Sequence, residues 1–263
     1  MKKVLFTVTV LLLVAAFAVS AFMVGNYLLE GKKQEDRFDE LSNMVADART
    51  EPTAGTDPEA TLPAPVPVWD ENGMLIEYKE LYAKNSDLVG WLQLPGTEIN
   101  YPVMQTPDDP EFYLKRNFDK EKSDWGCIFA WGTADLDEPS DNITLFGHNM
   151  RDGSMFAGLN AYVDKAAWNQ NSLIIFNTLK EYHTYKIFAV FKTTASMGEG
   201  FSYHKFVDAK DEEAFDDFVS TCKDLAFYET GITPVYGDKL ICLSTCEYSR
   251  ENGRLVVAAV RIT

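Results

Sequence analysis

The chain has 263 residues, 46% of them apolar and 13% aromatic, enough to bury a core of ordinary size in one domain with appendages. Its formal charge of −16, with no cluster of Lys and Arg to neutralise phosphates, argues against nucleic acid as a partner. The acidic balance reads as a solvated surface, and it would also suit cationic partners such as lysine-bearing peptides.

In chain order, Val4 to Leu29 carry no charged side chain and are rich in Val, Leu, Ala and Phe. That run exceeds the roughly 20 apolar residues needed to span a bilayer. Lys2 and Lys3 precede it, so residues 1–3 are expected in the cytoplasm, 4–29 in the membrane and everything after Glu30 outside, although Lys32 and Lys33 weaken the asymmetry. A cleaved signal peptide, processed at Ala16-Phe17-Ala18 or Ala18-Val19-Ser20, is the competing reading. The uncharged run continues past both sites, which favours a retained anchor, and either reading exports the domain. Residues 30–68 read as an extracellular stalk. Phe38, Leu41, Met44 and Val45 fall at helical spacing, and the Pro-rich stretch 51–68 favours an extended, semi-rigid spacer.

The folded domain is expected over 69–263. A helix around Leu75 to Asn85 would carry Leu75, Tyr78, Leu81 and Tyr82 on one face. From Val89 on, short apolar runs punctuated by Gly, Pro, Asn and Asp give a mostly β signal, including Trp91 to Leu94 and Ile143 to Phe146. Ser172–Phe176, Tyr182–Lys192, Lys239–Ser244 and Arg254–Arg261 read as further strands, and their spacing fits a closed or nearly closed barrel. Two helices interrupt them, one around Phe156–Val163 and one over Lys210–Asp224, where Phe215, Phe218, Val219 and Cys222 fall at i, i+3, i+4 and i+7.

Three residues stand out for their chemistry. Cys246 closes the run Leu243-Ser244-Thr245-Cys246 and precedes polar residues, so it should sit at a strand end, where a side chain can face a cleft; position alone equally allows a buried core thiol. A thiol attacks as thiolate and needs a positive neighbour, and the resulting oxyanion needs a donor that stays charged. His148, in the turn Gly147-His148-Asn149, can serve as acid and base. Arg254 can supply a fixed fork of donors, whereas Arg250, in the loop before it, reads as a surface ion pair. His183 and His204 lack the turn context of His148 and read as surface or packing histidines. Cys242 and Cys246, four residues apart on a strand, would have Cα atoms about 13 Å apart and cannot pair. Cys127 and Cys222 read as small buried hydrophobes, with a bridge to another cysteine left open. No zinc-type spacing, phosphate loop or carboxylate constellation is present.

These motifs, with Asp87-Leu88-Val89-Gly90-Trp91, Gly96-Thr97-Glu98-Ile99-Asn100-Tyr101-Pro102-Val103 and Gly126-Cys127-Ile128-Phe129, resemble the sortases, class B in particular, over roughly residues 74 to 263. The resemblance implies a mostly β fold: a closed barrel with flanking helices, one N-terminal and one in the connection before the cysteine strand, preceded by a single transmembrane helix. It implies an outward-facing cysteine transpeptidase of a Gram-positive cell membrane, with Cys246, His148 and Arg254 catalytic and Ser244, Thr245 and Asn149 supporting. Its expected partners are secreted proteins with a C-terminal sorting motif, cleaved after Thr, and an amine acceptor from peptidoglycan or a pilin. No metal or cofactor is expected. The family's usual Thr-Leu-x-Thr-Cys is Cys242-Leu243-Ser244-Thr245-Cys246 here, which adds a thiol and puts redox sensitivity in question. A cysteine hydrolase and a non-catalytic binding protein on the same barrel are the alternatives.

Overall fold

The structure, a computed structural model, describes residues 2–49, 66–196 and 199–263. The chain divides into two compact units, Met1–Glu40 and Leu41–Thr263. Helix α1 (Lys2–Ala48) is continuous over 47 residues, so the separate anchor and stalk segments expected from sequence are one helix, long and apolar enough to cross a membrane. No proline interrupts it, and pairs such as Lys32 to Asp36 at 2.7 Å and Arg37 to Glu40 at 2.6 Å support its polar half. Most of the proline-rich spacer lies outside the described residues. Within the second unit, Leu41 and Val45 are buried, and the Ser42 Oγ accepts a hydrogen bond from Asn100 Nδ2 at 2.8 Å.

Eight strands form the barrel: β1 (Leu88–Gln93), β2 (Asn100–Met104), β3 (Ile128–Ala130), β4 (Asn142–Phe146), β5 (Leu173–Thr178), β6 (Thr184–Thr194), β7 (Leu240–Glu247) and β8 (Gly253–Arg261). They close in the order β1-β2-β3-β4-β7-β8-β6-β5. Closure pairs every edge and leaves no open ladder. β2 with β3 and β4 with β7 are parallel, which requires long crossovers; the β4-to-β7 crossover contains β5, β6 and the longest helix of this unit. The predicted strands are present with shifted ends: β5 and β6 each run two residues further, and β7 reaches Glu247 because Thr245 and Cys246 keep their partners Leu255 and Arg254 on β8. His183 lies just before β6 rather than within a strand.

The helix expected over 75–85 is a 3-10 turn, Ile76–Tyr78, running into α2 (Lys79–Lys84). Phe156–Val163 is also 3-10, followed by α3 (Lys165–Gln170). Phe156, Leu159 and Tyr162 are its buried residues, and a spacing of three matches a helix with three residues per turn. α4 (Glu212–Asp224) starts where the Asp211 carboxylate accepts the Ala214 N–H, with Glu212 and Glu213 in its first turn. Its buried face, Phe215, Phe218, Val219 and Cys222, joins Phe188, Phe191, Cys242, Val256 and Ala258 in one apolar cluster. Burying side chains of this size stabilises by roughly 1.5–3 kcal/mol each. On β7 and β8 that cluster takes Leu240, Cys242, Val256 and Ala258; by strand alternation the buried Ile241, Leu243, Leu255 and Val257 face the barrel interior.

Candidate active site

The candidate residues meet at one end of the barrel. Cys246 and Arg254 are direct cross-strand partners in β7 and β8, which places their Cβ atoms about 4.5–5.5 Å apart on the same face. β4 runs parallel to β7 with Phe146 beside Ser244, so two further residues bring His148 level with Cys246. Hydrogen bonds continue the match beyond the strand: Gly147 N–H donates to Ser244 O at 3.2 Å, Thr245 Oγ1 to Gly147 O at 2.8 Å, and Asn149 Nδ2 to Cys246 O at 2.8 Å. Asn149 is held in turn by Asn160 Nδ2, which donates to its Oδ1 at 2.9 Å.

Gly147 is required by close approach: a Cβ there would lie 2.5 Å from Ile128 Cδ1 and 2.8 Å from the Phe156 ring. The loop after it is closed by Phe156 N–H donating to His148 O at 2.8 Å. It passes through Met155 at φ +55°, a left-handed conformation a non-glycine residue keeps only when surroundings impose it. Met155 is buried, and its N–H donates to the Tyr101 hydroxyl at 3.1 Å.

His148 Nε2 lies 2.7 Å from the Leu114 carbonyl. A carbonyl only accepts, so Nε2 carries the proton and Nδ1 is left as the base. Burial holds the imidazole below its ordinary range, against the opposing pull of the Leu114 bond; Lys115 acts with burial and Asp124 against it. The side chain is therefore neutral at pH 7 and able to accept a proton.

The four cysteines are free, and Cys246 alone is not buried. Burial pushes the Cys242 thiol up to about 12 and raises those of Cys127 and Cys222. Cys222 and Cys242 share the α4 cluster without a bridge, and Cys242, 0% exposed, is sealed from oxidants. Arg254 is half-buried and its Nη1 donates to the carbonyls of Gly253 at 3.0 Å and Asn252 at 3.4 Å. Among the described residues no carboxylate pairs with it, nor with Arg250, so the surface ion pair expected of Arg250 is absent.

Two neighbours had no signal in the sequence. Tyr203 hydrogen-bonds the buried Ser244 hydroxyl, and His204 sets its ring edge against Trp131 at 5.4 Å. Burial, then Lys205 and Arg254, hold His204 below the usual imidazole range. Both sit on a single 3-10 turn, Tyr203–Lys205, whose sequence shows neither period nor motif.

A thiol not fully buried, beside an arginine and level with a neutral histidine at the end of a closed eight-stranded barrel, has the chemistry that acyl transfer through cysteine needs. The Sortase domain family matches residues 92–262, and the chain belongs to it: it is a cysteine transpeptidase of the sortase type. Sortase B of Listeria monocytogenes is 29% identical over 256 residues, covering 96% of this chain and 95% of that protein. Among solved structures, sortase B from Bacillus anthracis is 25% identical with a TM-score of 0.74, covering 90% of this chain and 99% of that one. A mutant form of Clostridium perfringens sortase B is 30% identical with a TM-score of 0.63, covering 71% and 87%.

Proposed function

We propose that this chain is a membrane-anchored class B sortase in which Cys246 is the nucleophile, His148 the acid and base, and Arg254 the oxyanion donor. The observation that carries the assignment is the register: Cys246, the one cysteine not buried, faces Arg254 across β7 and β8 while the β4–β7 pairing aligns His148 with it. His148 Nδ1 takes the thiol proton as sulfur attacks the backbone carbonyl of a Thr in a sorting signal. Arg254, which no carboxylate pairs with among the described residues, faces the oxygen on which charge develops. The imidazolium, its Nε2–H bonded to Leu114 O, then protonates the leaving amine and a thioester remains. An incoming amine, from a peptidoglycan cross-bridge or a pilin lysine, gives its proton to His148 and displaces sulfur. Asn149, Thr245 and Ser244 position the backbone and the cleft wall.

The substrates are secreted proteins with a C-terminal sorting motif on a Gram-positive surface. Residues 4–29 form a single-pass anchor, with 1–3 cytoplasmic, 30–68 a stalk and 69–263 the extracellular catalytic domain. The apolar half of α1 supports this placement. Incubating the full chain in detergent micelles with a library of Pro-x-Thr peptides, with and without an amine, tests the reading. Amine-dependent joining of the peptide fragment supports transpeptidation; hydrolysis alone at saturating amine would favour the hydrolase, and no cleavage of any peptide by folded enzyme would contradict the assignment.

A further inference from the structure

The ladder between β4 and β7 is finished by a side chain. Its last backbone bond among the described residues is Gly147 N–H to Ser244 O at 3.2 Å, and in a parallel pair the next bond from that strand would run from Asn149 N–H to Cys246 O. The backbone has turned away by then. Asn149 bridges to Met155 instead, and Phe156 N–H closes the turn on His148 O at 2.8 Å. Cys246 O is met by Asn149 Nδ2 at 2.8 Å. A side-chain amide thus supplies the bond the ladder would have made, so the chain leaves the strand at His148 while Cys246 keeps a partner on that side.

The orientation of this amide is dictated from both ends. Carbonyls only accept, so Cys246 O requires Nδ2 and leaves Asn149 Oδ1 facing Asn160. Asn160 Nδ2 donates to that oxygen at 2.9 Å and to Ala157 O, another acceptor, at 2.9 Å; the return contact, Asn149 Nδ2 to Asn160 Oδ1, is 3.5 Å. Donors and acceptors therefore alternate in one direction from Ala157 O to Cys246 O. Asn160 is exposed, yet its backbone is seated by Phe156, Leu159 and Tyr162, the buried residues of the 3-10 helix Phe156–Val163. The Tyr248 hydroxyl donates to Asn149 O at 3.2 Å, so the hairpin after Cys246 ends on the same residue.

We propose that Asn160 is a positioning residue for acyl transfer: it fixes the amide of Asn149 and through it holds the Cys246 end of β7 level with His148. The inference rests on the assignment of Cys246 as nucleophile and His148 as acid and base. Without Asn160 the Asn149 amide can turn to water, and the alignment of thiol and imidazole that proton transfer needs loosens, while the cleft that binds the peptide is untouched. An aspartate at position 160 would do worse than an apolar side chain of its size. Its carboxylate only accepts, so it opposes Asn149 Oδ1 and draws Nδ2 off Cys246 O.

The test uses the full chain in detergent micelles with a cleaved Pro-x-Thr peptide, and compares Asn160→Leu, Asn160→Asp, Asn149→Ala and the combination of Asn149→Ala with Asn160→Leu. Loss of one hydrogen bond should lower kcat about fivefold in Asn160→Leu, and further in Asn160→Asp, with KM unchanged. In the Asn149→Ala background Asn160→Leu should cost nothing more, since residues that act through one contact are not additive. The urea midpoint should hardly move because Asn160 is exposed, which separates positioning from folding. Iodoacetamide alkylation of Cys246 at pH 7 reads the same alignment without any peptide and should slow in parallel. If the unaltered chain cleaves no peptide, the transpeptidase reading fails and the alkylation rates alone decide the role of Asn160. Undiminished kcat and alkylation in either Asn160 variant, a loss confined to KM, or losses that multiply in full in the combined variant would overturn that role. The Asn160 variants decide it even where Asn149→Ala does not fold.

Discussion

Three of the four cysteines sit in the core with their thiols raised by burial, and one lies half-exposed beside an arginine. Iodoacetamide at neutral pH should therefore label Cys246 alone in the native chain and all four thiols after denaturation; native labelling of Cys242 or Cys222 would break this account. Arg254 offers a planar fork, so Arg254→Lys should keep the charge yet lower kcat by about 10²-fold, as loss of one oxyanion donor does. A steady-state assay on a cleaved peptide would measure it, and an undiminished kcat would remove Arg254 from the site. The places of Cys246, His148 and Arg254 in the fold could be read from sequence because they are local: a strand end, a turn and the opening of the next strand. Tyr203 and His204 could not. Their place beside the site depends on a crossover that returns the chain to β7, and nothing within Phe201–Lys205 encodes that return.

Elements were legible where burial follows a fixed period. The α4 face, Phe215, Phe218, Val219 and Cys222, was read at helical spacing and is the buried face observed. The stretch 156–163 was read as a helix but not as a 3-10 one, since one turn of either helix buries similar residues. β7 was read three residues short because Thr245, Cys246 and Glu247 lose the apolar signal while keeping their ladder to β8. α4 also yields a paired stability test. Asp211→Ala removes the cap and should cost about 1 kcal/mol. Phe218→Ala removes a ring stacked 4.0 Å from Phe206 and should cost about 3–5 kcal/mol. Urea unfolding monitored by circular dichroism would rank the two, and an equal cost would mean that α4 is held by its end rather than its face.

At the scale of the whole molecule, six strand-like runs with turn signals pointed to a closed or nearly closed barrel, and the structure closes eight strands, adding β2 and β3. The parallel pairings of β2 with β3 and β4 with β7 had no signature, because periodicity reports a strand's faces and not its neighbour. Yet the β4–β7 pairing aligns His148 with Cys246, so the site is a product of topology as much as of motif. All three histidines are held low by burial as the first cause. Their unfolded value is about 6.5, so the unfolded chain takes up protons first as pH falls. The stability they contribute is complete above that value and is lost as pH drops through the lower folded values. The urea midpoint should be lower at pH 5.5 than at pH 7.5, and histidine titrations should have midpoints below 6.5; midpoints at or above it would contradict the burial described. The central claim is tested most directly by the intact mass of the enzyme after mixing with a cleavable Pro-x-Thr peptide in the absence of amine. The account predicts an added mass equal to the acyl fragment, mapped to Cys246, lost on adding amine and absent from Cys246→Ala. An adduct on another residue, or cleavage that persists in a folded Cys246→Ala protein, would contradict it.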